Sequence, residues 1–384
     1  MPDQTKNLLT NTGKKIFTDI GKKMYDAVLS VDTAMTHLCQ VTDETEEKYT
    51  QFLSSATNSA HNLGISITNL IEQTANWSKL GYSLDEAAKL AEISSLYANV
   101  SQVDNDTAVR DIAAAMKAFN IEAADSISII DKLHQLGKDS AATAADLGAG
   151  LSRSASSMAA AGTDINKTLA MLAGGATITQ NAADFGDFLN IGSLRIRGMK
   201  DELAALGEEV DASIDSISKV QAQILNHTGG NVNIFDDTDH LRNYYDIMED
   251  ISKVYHDLSN SDQSALTDLL FGKKWEAQGA AFLQTFQSGQ IQEALESALH
   301  ADGSAMEAQE QQLASLTAKV QQFETAFQSL SSSMLDSDLL KWFVDLGTSG
   351  VQALAAITDQ IGALGTVGLG AGLMAGAKNT GNAV

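Results

Sequence analysis

The sequence predicts an all-α protein: a multi-helix bundle of short helices, then longer coiled-coil-like helices and an apolar, glycine-rich C-terminal segment. Pro2 is the only proline among 384 residues, so helix interiors elsewhere lack the residue that most strongly disrupts them. Charged residues make up 19% and aromatic residues 6% of the chain, which suits helices packed through small side chains. No run alternates apolar and polar residues for long enough to predict a β-sheet.

The acidic balance of the chain argues against a grip on nucleic acid. The formal net charge is −24, whereas binding to a phosphate backbone requires a basic face. We therefore expect no sequence-specific nucleic acid binding, and we interpret the charge as a source of solubility and self-repulsion.

Residues 1–39 predict a basic amphipathic N-terminal helix. Five lysines and three aspartates lie within residues 1–30. One apolar stripe steps by four residues and consists of Ile16, Ile20, Met24 and Val28. A helix at a membrane surface has this pattern, and so does a helix that docks on its neighbour; we favour the second interpretation. Cys39 is the single cysteine, which excludes an intramolecular disulfide, and we expect a reduced thiol on an apolar helix face.

Residues 40–200 predict the helical bundle core. Ser83 and Glu86 have the spacing of a capping box, in which each side chain accepts a hydrogen bond from the backbone amide of the other residue. Other boundaries are predicted where a polar residue or a glycine interrupts the apolar periodicity: a start at Asp104, an interruption at Asn120, a stop at Gly137 and a start at Asp164. Short linkers between such helices favour antiparallel neighbours, and hence a compact bundle.

Residues 201–308 predict a coiled-coil-like helix, a polar loop and a second helical subdomain. The helix is expected over 201–225, where apolar residues recur in heptads: Leu203, Leu206, Val210, Ile217, Val220 and Ile224. The loop, residues 227–239, contains three aspartates, but their spacing is unlike that of a calcium-binding loop, and we interpret it as a solvated turn.

Residues 309–346 predict a heptad helix with the most regular apolar pattern in the chain. Its seam steps alternately by three and four residues and consists of Leu313, Leu316, Val320, Phe323, Phe327, Leu330 and Met334. Such a seam requires a partner helix, in the same chain or in another copy, so we predict self-association here. Two phenylalanines in the seam favour a wider groove or a larger assembly.

Residues 347–384 form the apolar, glycine-rich C-terminal segment. No charged residue lies between Ile361 and Ala377, and Gly368, Gly372 and Gly376 are four residues apart, a spacing that lets membrane helices approach closely. The segment is short and weakly apolar for a membrane span. Three interpretations remain open: a membrane-active segment, a buried helix of an assembly, and a flexible end.

A search for chemistry yields no catalytic residue, no cofactor-binding residue and no metal ligand. The seven histidines lack the four-residue spacing of the helical zinc motif, and Gly272-Lys273-Lys274 lacks the other residues of a phosphate-binding loop. Glu296-Ser297 and Gly372-Leu373-Met374 match only fragments of lytic transglycosylase motifs, too far apart to form one. We therefore expect a protein that is not an enzyme and uses no cofactor.

Several stretches, taken together and in order, resemble the core domain of tail tape measure proteins from long-tailed phages and prophages. The similarity covers roughly residues 40–375. The stretches that carry it are Trp77–Ser83, Glu86–Ala91, Tyr97–Val100, Asn233–Asp236, Tyr245–Ile251, Leu266–Lys274 and Leu339–Gly347. Each is weakly specific alone. Members of that family are usually much longer, so 384 residues would suit a fragment or a short member.

The resemblance implies a structural protein of tail assembly whose length determines tail length and which leaves the tail ahead of the DNA. It implies as partners the tail tube protein, tail assembly chaperones and other copies of itself, with the host membrane as a further partner on infection. The implied locations are the host cytoplasm during assembly, the lumen of the virion tail, and the host membrane on infection. The alternatives are a membrane-perturbing or pore-forming protein acting through its C-terminal segment, and a coiled-coil interaction protein.

Overall fold

The computed structural model describes residues 26–179, 181–210 and 214–313, which are mostly helical, so the all-α prediction is confirmed. They divide into two compact units. The first is described from residue 26 to Glu72, and the second from Gln73 to Leu313. The third helix crosses this boundary, and each unit is described by itself.

The first unit contains the helix α1 (26–41), α2 (Glu46–Leu63) and the start of α3 (Ile67–Lys79). Val28, Val31, Ala34 and Leu38 form the buried stripe of α1. Cys39 is exposed, so the prediction that its thiol lies on the apolar face is wrong. The reason is helical geometry, because successive residues of an α-helix are rotated by about 100° and Leu38 takes the buried position. The other members of the predicted stripe, Ile16, Ile20 and Met24, lie outside the described residues.

The second unit is a bundle of helices joined by short linkers. After the end of α3 these helices are α4 (Leu84–Ser101), α5 (Asn105–Phe119), α6 (Ile127–Asp139), α7 (Ala144–Ala160), α8 (Ile165–Thr179), α9 (Ala182–Ile196), α10 (Lys200–Ala205), α11 (Ile217–His227), α12 (Tyr244–Tyr255), α13 (Asn260–Phe271), α14 (Glu276–Gln287), α15 (Gln290–Leu299) and α16 (Ser304–Leu313). Phe235 and Leu241 form one isolated antiparallel bridge in the loop between α11 and α12.

Most predicted helix boundaries are present. Ser83 caps α4 in a complete capping box with Glu86, and Asp104 caps α5 by accepting a hydrogen bond from the amide of Thr107. Asn120 ends α5 in the left-handed conformation, with φ of 53°. The predicted stop at Gly137 is wrong, because α6 continues to Asp139. A Cβ at position 137 would lie 2.7 Å from the amide nitrogen of Ala144, so this glycine permits a close approach of the chain rather than a turn.

The single helix predicted over 201–225 is also wrong. α10 ends at Ala205, and Gly207 follows with φ of +78°, a conformation that interrupts a helix. α11 begins only at Ile217, with Ser216 as its cap. Leu203 and Ile224 of the heptad are buried, whereas Leu206 is 53% exposed. The heptad residues therefore do not form one continuous buried stripe.

The core of the bundle depends on close contacts between α7, α8 and α9. A Cβ at Gly186 would come too close to the carbonyl oxygen of Gly150, so the backbones of α9 and α7 meet with no side chain between them. Beside this contact, α9 contributes Phe188, whose ring stacks on Phe271 of α13 at 4.7 Å and meets Phe282 of α14 edge to face. Small residues on one side and rings on the other therefore fix α9 at the centre of the unit.

Candidate functional site

The self-association seam begins where the described chain ends. Leu313 is the last residue of α16 and is half-buried. The other predicted seam residues lie outside the described residues: Leu316, Val320, Phe323, Phe327, Leu330 and Met334. The same holds for Gly368, Gly372 and Gly376. The part of the site that the structure describes is the attachment of α16 to the bundle.

Asp131 of α6 holds the N-terminus of α16. Its carboxylate accepts hydrogen bonds from the amide of Gly303 at 3.1 Å and from the amide of Ala305 at 2.9 Å. The first amides of a helix have no partner within the helix, so a carboxylate there satisfies them and also complements the positive end of the helix dipole. Asp131 is only 5% exposed, so this cap is a tertiary contact formed inside the bundle.

Ser304, between these two amides, forms a second contact with α6. Its hydroxyl donates to Oε1 of Gln135 at 3.0 Å and lies 2.8 Å from Nδ1 of His134. A hydroxyl has one hydrogen, so Nδ1 of His134 acts as the donor in the second bond. Burial and the ammonium of Lys138 lower the pKa of His134, which keeps its imidazole neutral at pH 7.

Helical spacing explains why α6 can form this anchor. Asp131, His134 and Gln135 are three and four residues apart and therefore share one face. Ile130 and Leu133, on the neighbouring face, are fully buried. α6 thus presents an apolar face to the bundle and a polar edge to α16, which also packs against α4. We refer to Asp131, His134 and Gln135 as the α16 anchor.

The face that α16 buries is continuous with the seam. Ala305 is fully buried, Gln309 is 2% exposed, and Leu313 follows at the same four-residue step. Residues four apart lie on one side of a helix, so the seam starts in phase with the stripe that docks on the bundle. Gln309 is a polar residue at the heptad position that precedes Leu313.

Arg195 forms a second buried polar contact, between α9, the end of α13 and the segment after α10. Its guanidinium donates to the carbonyl oxygens of Asp268 at 3.1 Å, Leu269 at 3.3 Å and Glu209 at 2.7 Å. The last carbonyls of a helix lack partners within the helix, and a cation there also opposes the negative end of the helix dipole. A cavity of about 600 Å³ lies beside Arg195.

Several stretches that carried the family resemblance have structural roles at helix ends. Trp77, fully buried, donates its indole N–H to the hydroxyl of Ser94 at 3.1 Å. Gly272 ends α13 with φ of +83°, and a Cβ there would lie 2.6 Å from the guanidinium of Arg195. These residues are therefore explained by packing and chain reversal rather than by chemistry on a ligand.

Sequence analysis did not identify Asp131 or Arg195. Each charged residue occupies a position that helical periodicity assigns to the interior: Asp131 follows Ile127 by four residues, and Arg195 follows Ile191 by four. A charge at such a position indicates a buried polar contact, because an unpaired buried charge is costly. All but one of the partners lie more than seventy residues away in sequence, and they cannot be read from that signal.

Among the described residues, no group of three or more histidine, cysteine, aspartate or glutamate side chains is placed to hold a metal ion. Asp236 in the polar loop accepts hydrogen bonds from the amides of Thr238 and His240, so it stabilises the turn itself. Within the same part of the chain, no helix is both long enough and apolar enough to cross a membrane.

A family model described as phage-related minor tail protein matches residues 54–272, more than half of the chain. The matched stretch contains Asp131, Arg195 and the carbonyl groups that Arg195 binds. The α16 anchor joins this stretch to residues 303–305 beyond it. No solved structure matches the chain.

Proposed function

The chain belongs to the family of phage-related minor tail proteins and is a structural component of a phage tail, and we propose that it acts there as the tape measure protein. In this role it lies in the lumen of the tail, and tail tube subunits polymerise around it. Its extended length sets the length of the tail, and it leaves the tail ahead of the DNA.

The observation that carries this proposal is the family match combined with the way the bundle ends. The matched stretch holds α16, which lies beyond it, through the buried carboxylate of Asp131, and the docked face of α16 is in phase with the predicted seam. A helix that leaves a fixed anchor with an apolar seam can associate with other copies along its length. In this proposal the bundle is a compact domain, and residues 313–334 begin the extended segment that determines tail length.

Length supports this division. An α-helix rises about 1.5 Å per residue, so the whole chain as one helix would span roughly 580 Å, whereas a bundle of short antiparallel helices spans far less. Only the extended portion can then contribute fully to a ruler. The partners that follow from this role are other copies of the chain, the tail tube protein and tail assembly chaperones.

The exposed thiol of Cys39 allows a direct test of the luminal location, because it is the single cysteine of the chain. Intact tails are treated with N-ethylmaleimide or with a maleimide carried on a polymer too large to enter the tube. Modification of the Cys39 peptide is then measured by mass spectrometry. We expect the small reagent to react in intact tails, and the large one only after the tails are dissociated.

The free chain is the control for reactivity, and Cys39→Ser is the control for the label. Equal reaction of the large reagent with intact tails and with the free chain would place the chain outside the tube and contradict the proposal. Protection from both reagents in intact tails would indicate a contact that covers Cys39, and the same comparison would then be made with a cysteine introduced at the exposed position Ser156.

A further inference from the structure

The contact between α5 and α7 encloses a carboxylate that has poor partners. Asp111 of α5 is 1% exposed, and neither of its oxygens has a described donor in good hydrogen-bond geometry. The nearest cation is Arg110, whose Nε lies 3.9 Å from Oδ1 and whose own side chain is 65% exposed. A buried carboxylate normally has close donors, because burial without them is costly.

Two hydroxyls near Asp111 donate elsewhere. The hydroxyl of Tyr97 on α4 donates to the carbonyl oxygen of Ala144 at 3.2 Å. The hydroxyl of Ser152 on α7 donates to the carbonyl oxygen of Ala149 at 3.0 Å. Each hydroxyl has one hydrogen, which the carbonyl oxygen and the carboxylate must share, so Asp111 receives only weak hydrogen bonds from Tyr97 and Ser152.

Gly148 of α7 holds this arrangement closed. A Cβ at position 148 would overlap the hydroxyl of Tyr97 and lie 2.9 Å from Oδ2 of Asp111. The backbone of α7 therefore covers the carboxylate directly and leaves little room for water beside it. Separation of α5 from α7 would expose Asp111 to solvent.

The protonation of Asp111 follows from this geometry. Burial raises the pKa of Asp111 from 3.8 to about 6. The charge of Arg110 and the weak hydrogen bonds from Ser152 and Tyr97 lower this pKa, but they offset only part of the shift. Of the other charged groups, Asp104 at the start of α5 acts in the same direction as burial. Burial raises the pKa of Tyr97, and the carboxylates of Asp111 and of Asp146 on α7 raise it further, so this hydroxyl stays protonated.

We propose that the α5–α7 contact is a built-in opening point of the bundle, at which the ionised carboxylate of Asp111 favours separation of the two helices at neutral pH. The closed form binds the proton of Asp111 more tightly than the open form. The contribution of Asp111 to the stability of the contact is therefore fully present below the pKa that Asp111 has when exposed. It is lost as pH rises through the pKa that Asp111 has when buried. Above about pH 6 Asp111 is ionised, and this ionisation shifts the opening equilibrium toward the open form by up to about a hundredfold.

This inference rests on the proposed function for its meaning. A chain that is packed into a tube must convert compact helices into a narrower arrangement, and a weak contact between two helices of the core lowers the cost of that change. The test uses the isolated full chain, so its outcome does not depend on whether the protein measures tails.

Hydrogen exchange followed by mass spectrometry compares the full chain with its Asp111→Asn variant at pH 5 and pH 7.5, after correction for intrinsic exchange rates. In the unmodified chain we expect protection of peptides from α5 and α7 to be lower at pH 7.5 than at pH 5. In Asp111→Asn we expect that loss to disappear, with protection at pH 7.5 up to about a hundredfold higher than in the unmodified chain. Peptides from α12 should be unchanged.

Asp125→Asn, which removes an exposed carboxylate near α6, is the matched control and should leave protection in α5 and α7 as it is. Protection in α5 and α7 that is equal or lower in Asp111→Asn at pH 7.5 would overturn the inference. A variant that fails to fold would show that the carboxylate supports the bundle, and would also overturn it. An equal increase in all helices would mean a global effect on stability and no local opening point.

Discussion

Removal of the carboxylate of Asp131 should release the N-terminus of α16 from the bundle. The substitution Asp131→Ala deletes both acceptors that Gly303 and Ala305 use, at 3.1 and 2.9 Å. A buried amide left without a partner costs about 1–3 kcal/mol, and hydrogen bonds to charged groups lie toward the upper end. Water can reach the exposed Gly303 but not the fully buried Ala305, so we expect a total loss of about 2–4 kcal/mol.

Two measurements on the full chain test this expectation. Urea unfolding followed by circular dichroism gives the free energy of unfolding, and hydrogen exchange shows whether the loss is concentrated in α16. Asp302→Ala is the matched control, because Asp302 is exposed and adjacent to the same helix terminus. A cost below about 0.5 kcal/mol for Asp131→Ala, similar to that of the control, would refute the anchor, since exposed substitutions typically fall in that range.

Two further outcomes are expected, one from the structure around Arg195 and one from the seam that the sequence predicts. Arg195→Met should lower the free energy of unfolding by about 3 kcal/mol in urea titrations. It leaves the carbonyls of Leu269 and Glu209 without their donor and removes one of the two donors to the carbonyl of Asp268. Arg197→Met, two residues later and only half-buried, should have a small effect. Leu316→Asp combined with Phe323→Asp should reduce the oligomeric mass of the chain measured by light scattering, whereas Gln321→Asp, off the seam, should not; equal masses for all three chains would contradict self-association through the seam.

Much of the fold can be predicted from local sequence, because most helix ends are determined by neighbouring residues. The capping box at Ser83 and the left-handed stop at Asn120 involve groups within four residues, so their signals are complete in the sequence. The scarcity of proline and the apolar periodicity likewise indicate the fold class without any knowledge of tertiary contacts.

The errors come from residues whose type permits more than one local structure, and the omission of the α16 anchor comes from a distant contact. Gly137 has the sequence signature of a helix stop, but its lack of a side chain serves the approach of Ala144. The heptad over 201–225 contains Gly207, whose positive φ outweighs the apolar pattern around it. The α16 anchor joins residues about 170 positions apart, a pairing that one sequence does not reveal.

The most direct test of the tape measure role is tail length as a function of chain length. Residues 314–334 comprise three heptads, so their in-frame deletion or tandem duplication keeps the register of the seam and leaves α16 intact. Tails assembled in the encoding phage with the deletion, the unmodified chain, or one or two duplications would be measured by electron microscopy. An extended helix predicts a change of roughly 32 Å for each added or removed unit, and thus a slope near 1.5 Å per residue across the series. Tails of one length in all four strains would contradict the measuring role and leave the chain a tail component that does not set length.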